Sequence, residues 1–284
     1  MTNPHTNIMI IMIEQLQKLG IQSNDTVIVH ASFKSLGITD PEDFILALIE
    51  VLGESGTLLM PALSFEQNPP NRHDSKTTPS NVGYLSEYFR TRTGTLRSLH
   101  PTHSVCGVGY HASELLEAHA QDTTPCGPNS PFNQLFSRQG KILMVGCGLE
   151  PNTSMHAVEE YAPPPYLFGL PMTYTITDAQ GNTFDKNYIP HDFEGYTQRY
   201  DRVEGLLGAE GLQTGKVGAA KSYLLNSEIL FERVLTMLKK DPFYFVDSDS
   251  DEGPGSFVYN SESNTIEKYI SGRQVMTYGT SGKQ

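Results

Sequence analysis

The chain has 284 residues and carries 32 Asp and Glu against 20 Lys and Arg, a formal net charge of −12. That balance excludes a general nucleic-acid binder, which needs clustered cations to displace counterions from phosphate. With 38% hydrophobic and 10% aromatic residues the chain is not disordered throughout, and its length leaves ample material for a sizeable core.

Taken in order, residues 7–19 show an amphipathic pattern that predicts a helix stopped at Gly20. The apolar run Ile8–Ile13 is too short to span a bilayer and is followed by Glu14. It has no basic leader or small-residue cleavage site, so neither a membrane anchor nor a signal peptide is expected. Thr26–His30 is a β-branched strand, 41–52 a helix stopped at Gly53, and Thr57–Met60 a second strand closed by Pro61. This rhythm predicts a parallel βαβ unit. Residues 65–82, rich in Pro, Asn and Ser, predict a long loop. Helices are expected over 84–92, 111–119 and 131–138, and strands near 104–109 and 141–146. Thr173–Ile176 and Thr183–Tyr188 flank Asp178-Ala179-Gln180-Gly181-Asn182, a hairpin signal. Helices follow over 197–208 and 226–240. From Asp247 the chain turns Ser-, Asp- and Gly-rich, so one α/β domain over 1–246 and a polar tail over 247–284, loose or a small hairpin, are expected. Three cysteines, Cys106, Cys126 and Cys147, form an odd, sparse set that fits a reducing, cytoplasmic setting.

Several stretches have residue types that can do chemistry. His30-Ala31-Ser32-Phe33-Lys34-Ser35-Leu36-Gly37 leaves the end of a strand, where ligands of open α/β sheets bind, although an ordinary connecting loop reads the same way. His100-Pro101-Thr102-His103-Ser104 has two histidines that could bind a metal or simply close a loop. Gly146-Cys147-Gly148 leads into a helix capped by Asn152, Thr153 or Ser154. His156 lies in its first turn, with Glu159 and Glu160 three and four residues on and on the same helical face. An imidazole beside a carboxylate suits a general base; two dipole-favoured acids at a helix start are the plain alternative. Asp192 and Glu194, then Asp201 and Glu204, could bind an amine, orient a histidine, or be solvated. No Cys-x-x-Cys pair and no Gly-x-Ser-x-Gly elbow is present.

In their shared order these blocks resemble the aminoglycoside 3-N-acetyltransferase family, the antibiotic N-acetyltransferases that are unrelated in fold to the GNAT enzymes. The blocks are Val29–Gly37, Gly56–Pro61, His100–Val105, Gly127–Phe132, Leu143–Gly146 running into Asn152–Glu159, Tyr200–Gly205 and Gly215–Ala220. The likeness spans about residues 10–240, while 65–82, 162–170 and the tail after 247 match nothing assignable in it.

The resemblance implies a single α/β domain with a mixed central sheet flanked by helices. It implies acetyl transfer from acetyl-CoA to an amine of an aminoglycoside, with His156 as the catalytic base. A downstream acid partners that base: Glu204 is the best match and Asp201 the reserve. CoA contacts map to Ser32, Phe33, Lys34, Ser35, Ser104, Ser130 and Phe132. Glu159, Glu160, Asp192 and Glu194 fall where a cationic acceptor would sit. No metal, nucleic acid or membrane partner is expected, and monomer and homodimer both stay open. Rival readings are a CoA-dependent N-acetyltransferase of another amine, a metal-dependent hydrolase using His100, His103, His156 and Glu159, and a non-catalytic ligand-binding protein.

Overall fold

Helix α1 (Pro4–Leu19) leads into strand β1 (Thr26–Ala31), buried except at its last residue. After the single turn α2 (Phe33–Leu36) comes α3 (Pro41–Leu52). Its start is set by local chemistry: Asp40 accepts the Glu42 backbone N–H, and Pro41 fills a first-turn position that has no use for a donor. β2 (Thr57–Pro61) then lies parallel to β1, with Thr26 opposite Thr57 and Ile28 opposite Leu59, so the expected βαβ unit is present. The chain continues through β3 (Arg72–Asp74), α4 (Tyr84–Thr91), β4 (Leu96–Arg97), β5 (Val105–Gly109), α5 (Ala112–Ala118), α6 (Pro131–Ser137), β6 (Lys141–Val145) and α7 (Ser154–Glu159). A hairpin, β7 (Met172–Thr177) and β8 (Thr183–Tyr188), precedes β9 (Tyr196–Gln198), α8 (Glu204–Gly211), a second hairpin of β10 (Leu212–Val217) and β11 (Ala220–Asn226), α9 (Ser227–Lys240) and β12 (Val246–Ser248). This computed structural model describes residues 4–248, 256–260, 263, 265–270 and 273–279.

The main sheet has seven strands in the order β10-β11-β6-β1-β2-β5-β4. β6, β1 and β2 run parallel and the outer pairings are antiparallel, giving the mixed sheet. Alternation along the strands fills two cores. Ile28, Leu59, Ile142 and Met144 point to one face, with the side chains of α5, α6, α8 and α9. Val27, Val29, Leu58, Leu143 and Val145 point to the other, with those of α1 and α3. Both faces of the parallel strands are therefore covered, which explains their unbroken apolar runs.

Three expectations differ from the structure. The 65–82 loop contains β3, which pairs in parallel with β7 and forms a small sheet with β7 and β8. The helix expected over 197–208 divides into β9, a 3₁₀ turn at Tyr200–Val203 and α8, itself broken where Gly208 takes φ +61°. In the tail, backbone segments Ser256–Asn260, Thr265–Ile270 and Arg273–Gly279 form a three-stranded antiparallel sheet, more than a hairpin. The expected boundary at 246 falls inside β12, which pairs with β9, and Asp247 forms ion pairs with Arg199 and Arg202. Residues 249–255 and 280–284 lie outside the described residues.

One crossing positions the site. β6 is followed directly by Gly146, with φ +66°, where an added Cβ would fall 2.3 Å from the Cβ of Ser35. Ser35 Oγ donates to the Gly146 carbonyl at 3.1 Å, and the Ser32 backbone N–H donates to Val145 at 2.9 Å. The loops leaving β1 and β6 are thereby pinned together at the carboxyl edge of the sheet.

Candidate active site

A cleft of about 620 Å³ opens at that edge, lined by His30 and Ala31 from the end of β1, Asn152 and His156, and the segment His191–Phe193. Among the candidates for the helix cap, Asn152 accepts the Ser154 backbone N–H at 3.2 Å. One turn of α7 then places His156 and Glu159 side by side, as i and i+3 must be.

Glu159 is fully buried, and all its partners are internal. Its Oε2 takes His156 Nδ1 at 3.0 Å and the Tyr200 hydroxyl at 2.7 Å, and its Oε1 takes the Tyr166 hydroxyl at 3.1 Å. The Tyr200 oxygen is also 2.9 Å from His156 Nδ1. A carboxylate only accepts, so the network assigns the His156 proton to Nδ1 and leaves the lone pair on Nε2. Burial, reinforced by the Glu159 charge, pushes both phenols well above their ordinary range, so they stay donors.

A second histidine–carboxylate pair stands beside the first. His191 Nε2 lies 2.8 Å from Glu160 Oε1, and Glu160 also accepts the Thr124 hydroxyl at 2.5 Å and the Cys126 N–H at 2.8 Å. Burial raises the Glu160 carboxyl to about 7 and holds His191 well below its ordinary value; both shifts favour an uncharged pair. The His103 ring completes the group, with its centroid 6.0 Å from His156 and 5.5 Å from His191. Burial keeps it neutral as well. Phe193, held at the left-handed φ of +53°, packs its ring 5.3 Å from His156.

His100 takes no part in the cluster. It is buried and stacked on His119 at 4.9 Å, and its Nδ1 accepts the backbone N–H groups of Thr102 and His103 at 3.3 and 3.0 Å. One histidine of that motif closes the loop and the other faces the site.

The remaining predicted residues are spread out. Ser32, Phe33, Lys34 and Ser35 follow directly on the cleft-lining Ala31, with Lys34 exposed. Ser104, Ser130 and Phe132 are fully buried away from the cleft lining. Ser104 bridges Arg97 and the Ala62 carbonyl, Ser130 caps α6, and Phe132 packs in the core. Each has internal partners. Glu159 and Glu160 are likewise spent on internal partners, and neither presents a free face to an acceptor. Asp192 lines the cleft and is exposed, as is Glu194. Asp201 is paired with Arg199 at 3.0 and 3.1 Å, and Glu204 is exposed at the start of α8. The carboxylate on His156 is therefore Glu159, not either of these. Sequence reasoning missed Tyr166, Tyr200 and the grouping of His191 with His103. The one available signal was that a buried tyrosine hydroxyl needs a partner, and Tyr200 directly precedes Asp201.

The molecule is an acyltransferase of α/β architecture. It belongs to the aminoglycoside 3-N-acetyltransferase family, whose model matches residues 28–239. Aminoglycoside N(3)-acetyltransferase IV of Salmonella sp. is 31% identical over 241 residues, covering 83% of this chain and 88% of that protein. A mutant of aminoglycoside acetyltransferase AAC(3)-IVa in complex with a gentamicin superposes with a TM-score of 0.72 at 28% identity, covering 82% of this chain and 89% of its own. The binary complex of AAC-IIIb with CoASH gives a TM-score of 0.71 at 25% identity, with 81% and 95% covered. Among the described residues no helix is long and apolar enough to cross a membrane.

Proposed function

We propose that this chain transfers the acetyl group of acetyl-CoA directly to an amine of a cationic aminoglycoside, with His156 as general base. The observation that carries the reading is the fixed tautomer: Glu159 and Tyr200 hold the proton on Nδ1 and leave Nε2 basic beside the cleft. An ammonium group is no nucleophile, so a proton must leave before attack, and an imidazole suits that step near neutral pH. Glu159 then stabilises the imidazolium, the role that resemblance alone gave to Glu204 or Asp201. The family name and the solved relatives with CoASH and a gentamicin support the two substrates.

The loop Ser32–Ser35, directly after the cleft-lining Ala31, receives the CoA portion. Asn152 lines the cleft with its Nδ2 buried and without a hydrogen-bond partner among the described residues, so it is the donor for the thioester oxygen as charge develops there. Asp192 and Glu194 offer exposed carboxylates to the acceptor's ammonium groups. No covalent enzyme intermediate is needed, in keeping with the high thiol pKa of Cys147, which burial raises to about 11. Three free cysteines and the requirement for acetyl-CoA support a cytoplasmic setting, where turnover would protect the cell from the drug.

Thiol release from acetyl-CoA, measured against a panel of aminoglycosides and simpler amines, tests the reading. Turnover with 2-deoxystreptamine drugs is expected. Turnover only with other amines would keep the chemistry and replace the acceptor. His156→Ala should abolish turnover and leave CoA affinity nearly unchanged; substantial residual activity would remove His156 as base.

A further inference from the structure

Three imidazoles from separate parts of the chain converge on one point of the cleft. One nitrogen from each of His103, His156 and His191 lies within 4.8 Å of those of the other two. Each ring also has one nitrogen already engaged: His103 Nδ1 with the Thr102 hydroxyl at 2.9 Å, His156 Nδ1 with Glu159 at 3.0 Å, and His191 Nε2 with Glu160 at 2.8 Å. The nitrogens left over are His103 Nε2, His156 Nε2 and His191 Nδ1. The last is buried and has no hydrogen-bond partner among the described residues.

This is how histidines that bind a metal are held. The outer nitrogen of each ring is held by a carboxyl or hydroxyl group, which orients the ring and leaves its inner nitrogen for an ion, with the metal selecting the tautomer that presents a lone pair. A buried ring nitrogen without a partner is costly, and a metal ion would relieve that cost. Three nitrogen donors suit zinc, cobalt(II) or copper(II), and not magnesium or calcium, which take oxygen ligands. Tetrahedral zinc, with Zn–N bonds of about 2.0–2.1 Å, sets its nitrogens about 3.3 Å apart, so the widest pair here would close by about 1.5 Å at most.

We propose that His103, His156 and His191 form a reversible inhibitory site for a zinc-type divalent ion. The three rings supply three vertices and the cleft leaves the fourth to water. Bound metal occupies the His156 Nε2 lone pair, so metal binding and acetyl transfer exclude one another. That consequence rests on the proposed function; the binding itself rests only on the geometry.

The test uses the full, untagged chain, stripped with a chelator and titrated with cobalt(II) or zinc alone. Cobalt(II) should bind at one equivalent and give the intense visible absorption of a four-coordinate site. X-ray absorption of the unaltered protein with one equivalent of zinc should show three imidazole nitrogens at about 2.0 Å. His103→Gln and His191→Gln should each weaken binding at least tenfold. Zinc should suppress thiol release, and chelator should restore it. Absence of saturable binding, an oxygen-dominated shell, or affinity unchanged in both variants overturns the proposal, and the absorption measurement decides even if a variant misfolds. Tight three-nitrogen binding with undiminished turnover would uphold the site and overturn both the inhibition and His156 as base.

Discussion

Two acidic segments meet at the cleft and use their carboxylates in opposite ways. At the end of α7, Glu159 and the following Glu160 are withdrawn from water, and each holds one histidine ring. In the stretch from Asp192 to Glu204, the four acids are partly or fully exposed; Asp201 is paired with Arg199, while Asp192 alone of the four lines the cleft. Acids alike in sequence thus divide by burial. Buried ones fix the geometry of a neighbour, because a low dielectric makes one geometry much better than the rest. Exposed ones act at longer range and are screened by salt.

Substitutions can break this contrast, beginning with the largest effect. His156→Ala should lower kcat by about 10²–10⁴-fold, the usual contribution of a general base, and cost about 1–3 kcal/mol of stability, because the buried Glu159 loses one donor. Glu159→Gln should lower kcat by about 10²-fold and cost about 1–3 kcal/mol of stability. Its amide brings N–H groups to a place where three donors now converge. If Glu204→Gln did more damage than Glu159→Gln, the assignment of the buried acid would fall.

Acidification probes the buried polar groups as a set. Burial holds His30, His73 and His119 down to about 3, against 6.5 in the unfolded chain. The native state therefore binds fewer protons in that window, and each histidine removes about 1.4 kcal/mol per unit as the pH falls through it. Glu160, raised to about 7, and Asp122, raised to about 6, work the other way. Their stabilisation is complete at acid pH and is lost as the pH rises through those values. His100, His103 and His191 shift in the same direction as the first three, so the histidines outweigh the acids. Thermal melts should show stability falling from pH 6 to pH 5; a flat profile would contradict the burial argument.

Smaller effects sharpen the comparison. Tyr200→Phe removes one hydrogen bond to Glu159 and should cost about 1–2 kcal/mol of stability, together with a several-fold loss of kcat that reads as slackened orientation. Asp192→Asn should raise KM for polycationic acceptors only a few-fold, and the difference should shrink at high salt. Glu204→Gln should stay within about 0.5 kcal/mol of the parent in a denaturation experiment.

The framework was legible because it rests on local rules. The β-branched runs of β1 and β2, the Asp40-Pro41 helix start and the Asp178–Asn182 turn all announce themselves within a few residues. The adjacency of His156 and Glu159 follows from helical spacing alone. Tyr200 and His191 were not legible. They reach His156 through 3₁₀ and irregular segments that carry no period, across 44 and 35 residues of chain. Ser104, Ser130 and Phe132 are a different case: a motif reveals that a residue matters without revealing whether it serves the fold or a ligand, and in the structure each is buried among internal partners.

The crossing of Gly146 over Ser35 has a consequence for how the cleft can change. It joins the loop after β1 and the approach to α7 at a point where no side chain fits. The wall formed by Asp192 and Phe193 is tethered differently, through a small separate cluster of Leu167, Phe168, Ile189 and Phe193. One side of the cleft is a fixed jig and the other an exchangeable plate. New acceptors should therefore be reached by recutting residues 189–194, while the machinery that delivers and activates the acyl group keeps its alignment.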